Sequence, residues 1–183
     1  MVLPVYVYGS GVLKKEAAPV TGDYPGLGQL IADMWDTLYN AGGVGLAAPQ
    51  VGHMIRLAVI DASAFKDEDA AANGFKRVFI NPEILEWSEE MSGFNEGCLS
   101  IPGIHEEVKR PKRVRVRYLD ENFRERDEWL DGVPARIVQH EYDHIEGILF
   151  TERLAPIRRK ILAGKLANIA RGKSGADYKT KIA

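Results

Sequence analysis

The chain has a single cysteine, Cys98, in 183 residues. It can form no internal disulfide, so the fold must rest on its hydrophobic core, and the count fits a reducing compartment. Charge of neither sign dominates: 24 Lys and Arg stand against 26 Asp and Glu, for a net charge of -2. That balance supplies no global field to select nucleic acid or an anionic membrane, and no specific DNA partner is expected. No apolar run is long enough to span a bilayer, so no membrane association is expected. The opening MVLPVYVYGSG has neither the basic stretch and apolar core of a secretion signal nor the Arg- and Ser-rich character of a transit peptide. The expected location is cytoplasmic. No repeat or linker interrupts the chain, and residues 1–183 read as one domain with enough length to bury a core.

Residues 1–23 look irregular. The first helix is predicted from about Pro25 to Ala41, because Leu27, Leu30, Ile31, Met34 and Leu38 recur at helical spacing and Gly42-Gly43 follows. The small residues of GVGLAAPQVG then read as a loop. RLAVID (56–61) reads as a strand and 61–74 as an exposed, acidic, Ala-rich insertion. Phe75–Ile80 and Ile84–Trp87 are predicted as two strands split by Asn81-Pro82. Val114, Val116 and Tyr118 alternate with charged residues, Asp120-Glu121-Asn122 makes a hairpin turn, and Phe123–Leu130 returns. A second helix is expected from Asp131 or Gly132 to Glu146, and a third from Pro156 to Ala170, before a frayed tail of about a dozen residues. Strands lying between an early and a late helix give an α+β class with mixed or antiparallel sheets.

HEYDH (140–144) satisfies H-E-x-x-H. On a helix His140 and His144 share one face, one turn apart, so both imidazoles can meet one cation. Glu141 stands beside them, near enough to exchange a proton with water at the ion. The flanking Ile137, Val138, Ile145 and Ile148 place these polar groups in an apolar helix, where they need partners. Two histidines leave a catalytic metal shell one ligand short. His53, His105, Cys98 and Glu152 are the available completions. Glu152 would give a metalloprotease, and a metal-stabilised binding module without catalysis is the non-enzymatic alternative.

Three segments together carry a resemblance: GVGLAAPQ at 43–50, EGCLS at 96–100 and QHEYDH at 139–144. In this order and spacing they resemble the motifs of bacterial-type peptide deformylase, and VYGSGVLKKEAAPV (7–20) is similar to that family's opening stretch. The resemblance implies a metallo-amidohydrolase that removes the formyl group from the N-terminal formylmethionine of newly made proteins, with formate released. It implies Cys98, His140 and His144 as ligands of one divalent ion carried by a central HExxH helix. The implied ion is ferrous iron, Fe(2+), with Zn(2+), Ni(2+) or Co(2+) able to take its place. Glu141 is implied as the general acid/base, with the Gln50 side chain and the Leu99 backbone N–H as donors to the oxyanion.

Gly45, with Val44 beside it, resembles the residue whose backbone pairs with a substrate peptide in extended form. Phe94, Leu99, Val133 and Ile137 are candidates for the methionine pocket, and Arg136 for its rim. Glu96 is expected to pair with Arg110 and steady the cysteine loop. The implied partner is the formylated nascent polypeptide, with a transient ribosome contact through the basic C-terminal helix that carries Arg158, Arg159, Lys160, Lys165 and Arg171.

Overall fold

The computed structural model describes residues 1–183. The elements, in chain order, begin with β1 (Val5–Tyr6), α1 (Leu27–Asn40), β2 (Gly45–Ala47), β3 (Leu57–Asp61) and β4 (Lys76–Trp87). There follow β5 (Met91–Cys98), β6 (Ile101–Pro111), β7 (Arg113–Leu119), β8 (Glu125–Asp131), α2 (Gly132–Ile145), α3 (Pro156–Ala170) and β9 (Thr180–Lys181). Three helices and mainly antiparallel sheets make an α+β fold, as expected.

The main sheet is antiparallel with strand order β2-β3-β4-β7-β8. Its two faces are sorted by the alternation of side chains along each strand. Leu57, Val59, Val78 and Ile80 point to one face, where Leu30, Met34 and Leu38 of α1 pack against them. Ile60, Phe79, Val114 and Val116 point to the other, against Val133, Ala135, Ile137 and Val138 of α2. Burial on both faces explains why β3 reads as an almost unbroken apolar run. A third cluster joins Leu162, Leu166 and Ile169 of α3 to Ile101, Ile104 and Val108 of β6.

The helices begin and end for local reasons. Asp131 caps α2 by accepting from Gly132 N at 2.7 Å, and Gly147 (φ 76) turns the chain away after it. Pro156 opens α3. The first helix starts two residues later than expected, at Leu27, because Gly26 holds a left-handed φ of 70 that a helical residue cannot adopt.

Several expectations are corrected. The two strands predicted around Asn81-Pro82 are one, β4. Asn81 takes a φ of 49 at a register shift between Ile80 and Glu83, and its side chain bonds both the N–H and the C=O of Val20 at 2.7 and 2.9 Å. A bulge tolerates both the positive φ and the missing N–H of Pro82. Segment 61–74 is not a free loop. It forms two short 3-10 turns, buries Ala72, and uses Asp69 to accept from Val133 N at 2.7 Å.

The β5–β6 hairpin was not foreseen, since MSGFNEGC and IPGIHEEVKRP carry glycines and prolines in place of a β-branched run. GLA (45–47), expected as loop, is the edge strand β2. The tail is not frayed: β9 pairs parallel with β1, and Gly11 N donates to Ala183 O at 2.8 Å. The backbone donors and acceptors along β1 can be paired by a polar segment as well as by an apolar one.

Candidate metal centre

Three elements converge beside β2. The end of β5 supplies Cys98, the 3-10 turn Ala48–Val51 supplies Gln50, and α2 supplies His140, Glu141 and His144. All of α2 except Gly132 and Tyr142 is buried, which fixes its side chains by packing on every side. Cys98 Sγ lies 3.3 Å from His144 Nε2. The possible ligand atoms of Cys98, His140 and His144 all lie within 4.8 Å of one another. A soft sulfur with two imidazole nitrogens is a donor set suited to zinc or ferrous iron, and three protein ligands are what a catalytic site holds while keeping a position for water or substrate. The residues therefore fit a single divalent ion.

The ligands are held from behind. His140 Nδ1 donates to Glu96 Oε1 at 2.9 Å, which leaves Nε2 for an ion. The same carboxylate receives Arg110 Nε at 2.7 Å and Nη2 at 3.0 Å, so the expected Glu96–Arg110 pair is present. It also receives Arg136 Nη1 at 2.7 Å. Arg110 reaches on to Asp143 at 2.8 Å, and Asp143 takes Arg153 at 2.5 and 2.6 Å. Burial alone would raise the Glu96 carboxyl, but hydrogen bonds from His140 and Arg110 outweigh it and hold it well below the usual carboxylate range. Burial and the charge of His140 push the His144 imidazole well below its ordinary value, toward the neutral form that ligates metal.

Burial pushes the Glu141 carboxyl up to about 7. Its Oε2 and the Nδ1 of His144 are the two buried side-chain polar atoms in the molecule without a hydrogen-bond partner. Buried orphaned polar atoms are rare and concentrate at functional sites. Gln50 is fixed at both ends of its amide: Oε1 accepts from Ala47 N at 2.9 Å, while Nε2 donates to Ser100 Oγ at 3.0 Å and points at Cys98 Sγ at 3.6 Å. Gly45 permits the close approach of β2, because a Cβ there would stand 2.6 Å from Glu141 Oε1 and 2.9 Å from Ile137 Cγ2.

A cleft of about 560 Å³ opens over these residues. It is lined by Val44, Gly45, Gln50, Phe94, Leu99 and Ile137, all marked from the sequence, as well as by Cys98, His140 and Glu141. Val133 is a correction: it points into the core with Ala135 and Val138 and does not line the cleft. Arg136 borders the cleft, yet its guanidinium is committed to Glu96, to Val108 O at 2.9 Å and to Ser92 O at 2.6 Å, so it braces the hairpin. His53 lies outside the ligand cluster, and His105 lines the cleft without joining it. Glu152 is engaged by Lys14 and by Leu149 N at 2.7 Å, which removes the carboxylate a metalloprotease would need there.

Sequence reasoning missed the roles of Asp143, Ser100 and Phe65. The first had a signal, a buried acid in an apolar helix that must find a cation. Phe65, from the supposed insertion, packs edge-on against Phe94 at 5.7 Å and lines the cleft.

Residues 2–160 match the model of the family described as polypeptide deformylase. The chain is 47% identical to a peptide deformylase of Christiangramia forsetii, over all of this chain and 96% of the relative. It is 48% identical to one of Flavobacterium johnsoniae, over all of this chain and 97% of the relative. Its fold is similar to the crystal structure of a Legionella pneumophila peptide deformylase, with a TM-score of 0.82 and 36% identity over 96% of this chain and 99% of that one. A Thermus thermophilus peptide deformylase gives a TM-score of 0.81 with 40% identity over 94% of this chain and 99% of that one. The chain belongs to the polypeptide deformylase family.

Proposed function

We infer that the cleft beside Cys98 is where this chain performs the family's reaction, removal of the N-terminal formyl group from newly made proteins. The observation that carries this reading is the gathering of three ligand atoms within 4.8 Å of one another, with a buried, unpartnered oxygen on Glu141, the residue next to His140. Helix α2 is then the central metal-bearing element, with Cys98, His140 and His144 holding one divalent ion. Ferrous iron is the ion we propose, with zinc, nickel or cobalt as substitutes compatible with the same donors. When bound, the ion supplies Lewis acidity, lowering the pKa of water and polarising the formyl oxygen.

The remaining steps belong to the chain. Glu141 takes a proton from the attacking water as its oxygen bonds to the formyl carbon. With its carboxyl near 7 it can hold that proton and return it to the amine nitrogen as the C–N bond breaks. The products are formate and a free N-terminal amine. Gln50 Nε2 and the Leu99 N–H donate to the oxygen that gains charge, and such a donor is worth about 3–4 kcal/mol.

The edge strand β2 at Val44 and Gly45 pairs with the extended substrate backbone. Phe94, Leu99 and Ile137 receive the methionine side chain. The close packing of Gly45 against Ile137 and Glu141 disfavours acyl groups larger than formyl.

The substrate is a formylated nascent chain, which supports a cytoplasmic location; no helix of the chain is long and apolar enough to cross a membrane. Ribosome contact through α3 is supported by its outward basic residues and by Ile157 and Ile161, 69% and 61% exposed. The deciding experiment is turnover of a formyl-Met peptide by protein reconstituted anaerobically with ferrous iron. No turnover by the wild type, or full turnover by Glu141→Ala, would reject this reading.

A further inference from the structure

Residues 174–178 lie beyond the matched family segment, between the end of α3 and β9, and they form one wall of the cleft that holds Cys98 and Glu141. The segment contributes none of the buried apolar side chains of the core. It is nevertheless anchored on both sides. Lys173 N donates to Asn168 O at 2.9 Å upstream, and downstream β9 pairs with β1 while Ala183 N donates to Ser10 Oγ at 3.3 Å. From this strap the Tyr178 hydroxyl donates to the carbonyl of Leu99 at 2.6 Å.

Leu99 and Ser100 are the two-residue turn between β5 and β6, where Cys98 pairs with Ile101. Each neighbour of Leu99 is fixed independently. Cys98 is a candidate ligand; the Ser100 carbonyl accepts from Tyr8 N at 2.8 Å and its Oγ accepts from Gln50 Nε2 at 3.0 Å. The contact that fixes the Leu99 carbonyl itself comes from Tyr178. The Leu99 carbonyl lies in the Leu99–Ser100 peptide plane and the Leu99 N–H in the Cys98–Leu99 plane before it; holding the first restricts ψ at Leu99 and with it the coupled counter-rotation by which the second plane would swing its N–H away from an oxygen it must meet.

We propose that the C-terminal strap is a working wall of the deformylation cleft and that Tyr178 is a positioning residue, clamping the Leu99 backbone so that its N–H points at the developing oxyanion. This rests on the oxyanion role given to Leu99 above. Tyr178 acts through Leu99 and touches no reacting atom. Burial pushes its phenol far up, so it remains a hydrogen-bond donor throughout the neutral range.

The test is Tyr178→Phe in the full-length, iron-loaded protein, which keeps the ring and removes only the hydroxyl. Four quantities are read: kcat, KM for a formyl-Met tripeptide, metal content, and amide hydrogen exchange at Leu99 and Ser100. The expected result is a kcat about fivefold to tenfold lower, with KM and metal content unchanged and faster exchange at the turn. Thermal unfolding should stay at the wild-type midpoint. An unchanged kcat in an active background overturns the inference alone. A kcat loss that appears only together with a lowered unfolding midpoint or lost metal also overturns it, since the strap would then be structural. A wild type without turnover overturns the parent reading, and this inference with it.

Discussion

Glu96 accepts from His140 Nδ1 at 2.9 Å while the same buried carboxylate neutralises Arg110 and Arg136. One side chain thus fixes the tautomer of a candidate metal ligand and the charge of two arginines. Glu96→Gln should split these roles. The amide can still face His140, but it leaves buried guanidinium groups short of a counter-charge, at a cost of about 3–5 kcal/mol. Metal affinity should fall about 10–100-fold, because the imidazole is no longer oriented by an anion. Denaturant unfolding and competition with a chelator measure the two effects. Wild-type metal affinity in a destabilised variant would mean that packing alone orients His140.

Glu141 presents the opposite balance. Its carboxylate is buried with one oxygen unpartnered, so it contributes to chemistry at the expense of stability. Glu141→Gln should lower kcat by about 10²–10⁴-fold. It should leave metal content intact, and the unfolding midpoint should hold or rise because the unpaired buried carboxylate is gone. Steady-state kinetics, metal analysis and thermal unfolding together check this. A midpoint that falls with kcat would assign Glu141 a structural role.

The contact between Gly45 and Glu141 makes a separate prediction. An alanine Cβ would meet Glu141 Oε1 at 2.6 Å and Ile137 Cγ2 at 2.9 Å, so either β2 or the Glu141 side chain must move. Overpacking of this kind costs about 1–3 kcal/mol. Because β2 is the proposed substrate edge and Glu141 the proposed base, Gly45→Ala should raise KM and lower kcat together. Gly26→Ala, at a φ of +70 with open space around it, is the control. It should cost stability only. Equal kinetics in the two variants would show that β2 has no special relation to the site.

Much of the fold was legible because burial leaves a period in the sequence. Leu30, Met34 and Leu38 announce α1, and Val114, Val116 and Tyr118 announce β7. The α3 boundaries were read to the residue because Pro156 marks its start. The β5–β6 hairpin was not legible: only one of the eight residues of β5 is fully buried, and Gly93 and Gly97 weaken any strand propensity. The close packing of Glu107 and His105 over these two glycines is a tertiary fact that local sequence does not carry. The site follows the same division. HEYDH discloses His140 and His144 by helical spacing, whereas Cys98 lies 42 residues from His140 and gives no sign by itself of being its neighbour. The Tyr178–Leu99 contact spans 79 residues and depends on a two-residue parallel pairing that composition presents as a polar tail.

The contact between Leu99 and the tail also changes how the basic helix should be tested. Removing everything beyond Pro156 would take away Leu162, Leu166 and Ile169 from the core and Tyr178 from the Leu99 turn, so catalysis and folding would fail with any ribosome contact. Charge reversal at Arg159, Lys160 and Lys165, all outside the core clusters, leaves that support in place. Ribosome co-sedimentation should weaken and lose its salt dependence, while turnover of a free tripeptide stays at the wild-type level. Unchanged co-sedimentation would reject α3 as the contact.

Cys98 decides between a deformylase-type centre and any two-histidine site. An ion that binds only the native state stabilises it by about 4 kcal/mol at a thousandfold excess over its dissociation constant. For a chain of this size that corresponds to a midpoint roughly 10 °C higher, so chelation of the loaded protein should lower the midpoint by a similar amount. Cys98→Ser replaces the thiolate with a poor neutral ligand, and the chelator-induced shift should shrink or vanish. Gln50 is not among the ligand residues, and its amide is fixed by Ala47 N and Ser100 Oγ, so Gln50→Ala should spare the shift while reducing kcat about 10²–10³-fold. The pair of variants separates holding the ion from stabilising the oxyanion. A full chelator shift in Cys98→Ser would place the third ligand elsewhere, and with it the open side of the centre.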